Sequence, residues 1–225
     1  MSDAFANNSS AVRIAELFSS IQGESTYAGR PCFFIRLSGC PYRCSYCDTL
    51  FAQDFCYGKD YEISEVVAQA LNSKLPLVEV TGGEPLAQKN AVALINALLD
   101  AGLEVMLETN GGFDISAVPV QVKRILDCKL PSSGMAGKNL YANYKYLTPH
   151  DEVKFVVGSR EDYEFALDIV RKYGLASLTG NLLISPVWGT VAFDKIVEWI
   201  LEDNAPFRFQ LQMHKIIWGA DKQGV

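Results

Sequence analysis

Short apolar segments alternate with helical-period segments along almost the whole chain, and this alternation limits the possible folds more than any other feature. Phe33–Leu37 (FFIRL) reads as a strand, and the Gly- and Cys-rich stretch from Ser38 to about Tyr57 as a loop. Ile63, Val66, Val67, Ala70 and Leu71 follow the i, i+3, i+4 period of a helix. Leu77–Val80 is a short strand stopped by Gly82-Gly83. Ala91 to Leu99 is a second helix, with Val92, Ile95 and Leu99 on one stripe and Gly102 just past its end. Glu104–Glu108, Arg124–Cys128, Val153–Val157, Leu182–Ser185 and Phe207–Leu211 read as further strands. Helices are expected over Arg160 to Lys172, with a stripe at Phe165, Ile169 and Tyr173, and over Phe193 to Leu201. A strand–loop–helix unit repeated about six times implies a parallel sheet with crossover helices. The 225 residues fall short of the ~250 of an eight-fold barrel. The expected fold is therefore α/β, an incomplete parallel β/α barrel of about six strands with some helices abridged. Residues 1–11 are small and polar and read as a loose tail, with one domain over 12–225.

Composition narrows the function classes. Hydrophobic residues at 49% and charged residues at 20% support a sizeable core and exclude wholesale disorder. Twenty Lys and Arg against 26 Asp and Glu leave a net charge of -6, which argues against a broad basic face for nucleic acid. No apolar run approaches the roughly 18 residues of a membrane span, and Met1 to Ala11 shows neither part of a signal peptide. A cytoplasmic protein without a membrane partner is the expectation. In that reducing setting the six cysteines read as metal or cluster chemistry before disulfides.

Sites in parallel α/β folds lie at the carboxyl ends of strands. The Cys-rich loop, Thr81-Gly-Gly-Glu-Pro85, Glu108-Thr-Asn-Gly-Gly112 and Ser185-Pro186 each follow a strand, so they should meet on one face. Cys40, Cys44 and Cys47 have C-x3-C-x2-C spacing. Three thiolates so placed hold three corners of a [4Fe–4S] cubane and leave one iron open to a small molecule. Structural zinc is the alternative, with a fourth ligand from Cys32, Cys56 or a His, and it favours four closed ligands. Cys32, Cys56 and Cys128 otherwise read as ordinary thiols.

This triplet, followed by TGGEP after the next strand, resembles the radical S-adenosylmethionine (SAM) superfamily. Phe18-Ser-Ser-Ile-Gln-Gly-Glu-Ser25, Phe34-Ile-Arg-Leu-Ser-Gly-Cys40, Cys47-Asp-Thr49, Glu108-Thr-Asn-Gly111 and the tail from Gln212-Met-His-Lys215 to Val225 resemble its 7-carboxy-7-deazaguanine synthase family. The likeness runs from about residue 13 to the end. It implies conversion of 6-carboxy-5,6,7,8-tetrahydropterin to 7-carboxy-7-deazaguanine, with ring contraction and loss of ammonia, as a step toward queuosine and other deazapurines. It also implies a [4Fe–4S] cluster, SAM, Mg2+, an electron donor such as flavodoxin or ferredoxin, and a homodimer. Tyr141, Tyr144 and Tyr146 are candidate interface aromatics. A glycyl-radical activating enzyme uses the same cysteine spacing and is the nearest rival; a zinc-stabilised binding module is the rival of another class.

The resemblance distributes roles that the residues themselves make chemically reasonable. It assigns Mg2+ to Thr49, an oxygen ligand that needs substrate oxygens beside it. It gives SAM to Tyr46, Cys47, Asp48, Gly83, Asp127, Cys128, Lys129, Ser185, Pro186 and Val187; Asp127-Cys128 departs from the family's Ser-Pro. Substrate falls to Ile21, Gln22, Gly23, Glu24, Arg36, Thr81, Glu108, His214 and Val225. An amide and a carboxylate at Gln22 and Glu24 suit the donor and acceptor edge of a pterin, though the segment also reads as a surface turn. Arg36 in an apolar strand needs an anion, and a substrate carboxylate can be gripped by both its prongs. Glu108, behind three apolar residues, needs either substrate N–H groups or a neighbouring Lys. His150 sits in a polar stretch and is expected to be exposed.

Overall fold

A computed structural model describes residues 10–220 and 222–225. In chain order it contains β1 (Ala11–Ile21), β2 (Pro31–Leu37), β3 (Lys59–Glu62), α1 (Ile63–Asn72), β4 (Leu77–Gly82), α2 (Ala91–Asp100), β5 (Glu104–Thr109) and β6 (Lys123–Cys128). There follow β7 (Glu152–Val157), α3 (Arg160–Tyr173), α4 (Leu175–Leu178), β8 (Leu182–Pro186), α5 (Phe193–Glu202), β9 (Arg208–Phe209) and α6 (Met213–Trp218). One sheet runs β3-β1-β2-β4-β5-β6-β7-β8-β9. β2 and β4 to β9 are parallel, while β1 and β3 add an antiparallel edge. The edge strands β3 and β9 are not paired to each other, so the barrel stays open. Six parallel strands of five to seven residues form its body, and β9 contributes only two residues.

The edge strand β1 departs from the expectation, which began the sheet at Phe33. Residues 1–9 of the expected tail lie outside the described residues, and Ala11 already opens β1. A bulge between Ile14 and Glu16 turns the strand partway along. Val12 and Ile14 face the main core, whereas Glu16 and Phe18 face the barrel interior. The helical crossovers are also fewer than expected. β5 to β6 has no helix, and β6 to β7 has only short 3-10 turns around Pro131–Ser133, Ala136–Lys138 and Tyr141–Tyr146. The three expected tyrosines belong there, and they face inward. Tyr144 is buried, and Tyr141 stacks on Tyr173 at 4.9 Å. That burial removes Tyr144 as an interface aromatic, while Tyr141 and Tyr146 are half-buried against the core.

The helices begin and stop for local reasons. Glu62 and Glu65 form a reciprocal capping box at α1, and Ser159 accepts the Asp162 N–H at the start of α3. Gly174 ends α3 in the left-handed conformation at φ 60°. The buried stripes are rotated from the expected ones. α2 buries Ala91, Leu94, Ile95 and Leu98, and α3 buries Tyr163, Ala166, Leu167, Ile169 and Val170; Ile95 and Ile169 are thus in the core as expected, while Val92, Leu99, Phe165 and Tyr173 lie at the edges.

Alternation along the strands builds two layers. Phe33, Ile35 and Leu37 of β2, Val78 and Val80 of β4, Leu126 and Cys128 of β6, and Val153, Phe155 and Val157 of β7 point outward to the helices. The intervening residues point inward. Cys32, Phe34, Leu77, Met106 and Ile125 form an apolar floor, with Phe18 stacked on Phe34 at 4.9 Å. Above that floor, the inward side chains become polar toward the carboxyl ends of the strands.

Candidate active site

A cavity of about 570 Å³ sits above the floor, within the size range of small-molecule sites. Its walls are the inward residues of the strand ends, the Cys-rich loop, the Gln22–Glu24 turn and the C-terminal segment. All the expected site residues line it except Cys128, Ser185 and Pro186. Period-two alternation accounts for the exceptions. Cys128 and Pro186 fall on the outward register, and Cys128 packs into the outer core. Ser185 points inward but is fully buried beneath the lining, its Oγ without a partner.

One end of the cavity is the cysteine loop, with Cys40 buried and Cys44 and Cys47 partly exposed, all three as free thiols. The loop is held from behind. Gly39 N–H donates to Ala52 O at 2.8 Å, Cys40 N–H to Gln53 O at 3.1 Å, and Glu84 N–H to Gly39 O at 2.8 Å. A Cβ on Gly83 would lie 2.5 Å from Gly39 O and 2.6 Å from Ala52 O. Gly83 is therefore required by the protein's own cysteine loop, whatever it meets on the cavity side. Glu84, fully buried, joins two turns: it accepts from Leu86 N–H (2.9 Å), Thr109 Oγ1–H (2.8 Å) and Asn110 N–H (2.6 Å). Burial outweighs these donors and raises its pKa to about 7. Lys129 Nζ donates to Asp127 at 2.8 Å, and burial with its neighbours raises the thiols of Cys40 and Cys44 above the usual range.

The other end is organised by Lys154, which the sequence reading passed over. Its ammonium, 6% exposed, donates to Glu24 at 2.7 Å and to Glu108, and lies 3.9 Å from Asp127. Glu108 thus takes the Lys alternative. Burial opposes the charge on Lys154, but Glu108, Glu24 and Asp127 prevail and raise its pKa well above the ordinary lysine value. Burial likewise works against the Glu24 carboxylate, and Lys154 more than offsets it, leaving that pKa lowered. The signal was available: Lys154 lies two residues from Val156 in an apolar parallel strand, on the same inward register as Asp127 beside it.

Gln22 braces this end. Its Oε1 accepts the Glu24 N–H at 2.9 Å, and its Nε2–H donates to buried Glu79. A Cβ on Gly23 would meet His214 Nδ1 at 2.2 Å, and Met213 N–H donates to Gly23 O at 2.9 Å, so the turn clamps α6 beside the open edge of the barrel. Burial lowers the His214 pKa. Arg36 donates through Nε to Glu16 at 2.7 Å, and its terminal nitrogens have no hydrogen bond among the described residues. Asp48, its side chain 47% exposed, pairs with buried Lys215 at 2.7 Å; partial desolvation opposes its charge, and Lys215 holds its pKa below the usual value. His150 is exposed, as expected.

Residues 34–200 match the radical SAM superfamily. The 7-carboxy-7-deazaguanine synthase of Chlorobaculum tepidum is 41% identical over 95% of this chain and 97% of its own. That of Methanospirillum hungatei is 42% identical over 94% of this chain and 88% of its own. The chain belongs to the 7-carboxy-7-deazaguanine synthase family. Among solved structures, QueE from Escherichia coli superposes with a TM-score of 0.71 at 23% identity, covering 91% of this chain and 95% of that one. Streptococcus suis SuiB superposes at 0.58 and 12% identity over 77% of this chain and 46% of its own; at such identities the likeness concerns the fold.

A radical SAM lyase of the 7-carboxy-7-deazaguanine synthase family has a [4Fe–4S] cluster, SAM and Mg2+ to house, and the cavity fits them. The three free thiols share one wall, and the other cysteines are elsewhere: Cys32 in the floor, Cys128 in the outer core, Cys56 exposed. That arrangement provides a three-thiolate ligand set and no closed zinc site. Asn110 Nδ2 and Asp127 Oδ1 are buried polar atoms without partners in cavity-lining residues, as a polar ligand between them requires. Among the described residues no group of three His, Cys, Asp or Glu is placed to hold a single ion. A magnesium at Thr49 would therefore need oxygens from the substrate.

Proposed function

We propose that the chain converts 6-carboxy-5,6,7,8-tetrahydropterin into 7-carboxy-7-deazaguanine with ring contraction and release of ammonia. The observation that carries this reading is one cavity with a cysteine triplet at one end and an Arg-, carboxylate- and amide-lined recess at the other. Cys40, Cys44 and Cys47 hold the cluster, with one iron left for SAM. Tyr46, Asp48, Gly83, Asp127, Lys129 and Val187 form the SAM half, and Thr49 offers its hydroxyl to magnesium. When bound, the reduced cluster and SAM supply the 5'-deoxyadenosyl radical that removes a hydrogen from carbon 6.

The chain's own residues aim the substrate. Arg36 has both terminal nitrogens available for the substrate carboxylate. Glu24 and Glu108, both paired with the Lys154 ammonium, accept from pterin N–H groups. Ile21, the backbone at Gly23, Thr81, His214 and Val225 complete the wall and exclude water. We also infer a homodimer and a flavodoxin or ferredoxin as electron donor, in the cytoplasm. Ile216, Ile217 and Trp218 on α6 are exposed apolar surface available to a partner. Among the described residues no helix is long and apolar enough to cross a membrane.

The test is anaerobic turnover of protein reconstituted with iron and sulfide, with SAM, magnesium, a strong reductant and the tetrahydropterin. The expected result is a product of the mass of 7-carboxy-7-deazaguanine. 5'-Deoxyadenosine without that product would overturn the substrate and leave the radical chemistry standing. Sedimentation as a single 24.8 kDa species would exclude the dimer.

A further inference from the structure

Glu79 and Glu16 are cavity carboxyls that none of these roles uses, and Glu16 is paired with Arg36. Glu79 lies on β4 two residues before Thr81, so it faces the interior, lines the cavity and is only 2% exposed. Its neighbours are all provided with cations. Glu24 and Glu108 share the Lys154 ammonium, and Asp127 has Lys129 at 2.8 Å. Glu79 has no cation within ion-pair distance among the described residues. Its hydrogen-bond partner is the Gln22 amide, which donates to Oε2 and whose orientation is fixed because Gln22 Oε1 accepts the Glu24 N–H. Among the described residues no hydrogen bond reaches Oε1 of Glu79.

Glu24, Glu108, Asp127 and Glu79 thus share two ammonium groups, and the nearby Arg36 guanidinium on β2 is paired with Glu16. A buried carboxylate supported by a single amide is costly, and uptake of a proton removes that cost. The group so produced is a donor as well as an acceptor. The direction of its titration agrees: burial, then the Glu108 and Glu24 charges, push the Glu79 pKa well above the carboxylate range against the pull of Lys154 and Arg36.

We propose that Glu79 stands in the cavity wall as a neutral carboxylic acid and donates a hydrogen bond to a carbonyl oxygen of the substrate, so that it determines specificity. This rests on the pterin reading above. A pterin carries a cyclic amide, an N–H beside a C=O. The Glu24 and Glu108 oxygens already take the Lys154 ammonium as carboxylate acceptors, so they read N–H groups and would repel the carbonyl. Glu79 supplies the complementary donor on the same wall. A substrate with the carbonyl replaced by a second donor would leave two hydrogens facing each other.

The test compares Glu79→Gln with Glu79→Ala in anaerobic calorimetric titration of 6-carboxytetrahydropterin into SAM-loaded protein. Glutamine has the same shape, keeps the contact to Gln22 through its oxygen and still donates. E79Q should bind within about twofold of the unaltered protein, whereas E79A should bind on the order of tenfold more weakly. Infrared difference spectra of the unaltered protein against E79Q at pH 7 should show the C=O stretch of a protonated carboxyl. Equal weakening of both variants, or no weakening of E79A, would overturn the proposal. So would absence of the infrared band, which is read without any substrate. If the unaltered protein does not bind the pterin at all, the functional reading has failed, and the band still decides the state of Glu79.

Discussion

The two ends of the cavity are built in opposite ways. The cysteine end is local: three cysteines fall within eight residues of one loop, braced by backbone hydrogen bonds to Ala52 and Gln53 and by the glycine turn after β4. The carboxylate end is dispersed: Gln22, Glu79, Glu108, Asp127 and Lys154 come from five separate segments and meet only because each occupies the inward register of a strand or the turn beside it. A local site tolerates rearrangement elsewhere in the fold, while a dispersed one depends on the register of the whole sheet. Chemistry that must bind a metal cluster can reside in a loop. Recognition of a flat heterocycle needs groups from several directions.

If the two ends are separable, single substitutions should damage one and spare the other. The largest effect belongs to Cys44→Ala, which should abolish turnover and lower the iron content while leaving tetrahydropterin binding within a few-fold of normal. Loss of pterin binding in that variant would break the distinction. Lys154→Met should act in reverse. It leaves Glu24 and Glu108 without their cation, at about 3–5 kcal/mol by the usual cost of breaking a buried pair, with full iron incorporation retained. Thermal unfolding and iron analysis measure both. The unaltered network should be insensitive across neutral pH. The raised Lys154 pKa keeps its contribution present below the ordinary lysine value, to be lost only as pH rises through the higher folded value. The lowered Glu24 pKa keeps its own contribution present above the ordinary carboxylate value.

Glu84→Gln should be intermediate, about 1–3 kcal/mol, because an amide nitrogen must replace one oxygen that now accepts. Its signature is pH dependence. A carboxyl raised to about 7 favours the folded state when protonated, so its contribution is present at low pH and declines as pH rises from the ordinary carboxylate value to about 7. The unfolding free energy of the unaltered protein relative to E84Q should fall over that window and be level above it; a flat difference would show that Glu84 does not titrate there. The smallest effect is expected for Cys56→Ala. That thiol is exposed and apart from the triplet, and iron content should not change.

The same contrast explains what could be read from the sequence. The cysteine end announces itself because its spacing is its structure, and the parallel strands from Phe33 onward declare themselves as apolar runs. β1 did not, because its bulge and its change from core-facing Val12 and Ile14 to cavity-facing Glu16 and Phe18 leave no steady alternation. β3 is four mostly exposed residues, KDYE, with no apolar pattern at all. Lys154 and Glu79 each stand alone in an apolar strand, where a charged residue reads as an exception until registers are aligned across the sheet. Cys128 and Pro186 failed as cavity residues for a reason that counting by twos along β6 and β8 would have given.

Glu84 carries one consequence into the history of such chains. Because a single buried carboxyl bonds to the turn after β4 and to the turn after β5, TGGEP and ETNGG are one structural unit although Glu84 and Glu108 are 24 positions apart. A lineage that lost the glutamate would have to rebuild the second turn at Thr109 and Asn110, so these positions should drift together or not at all.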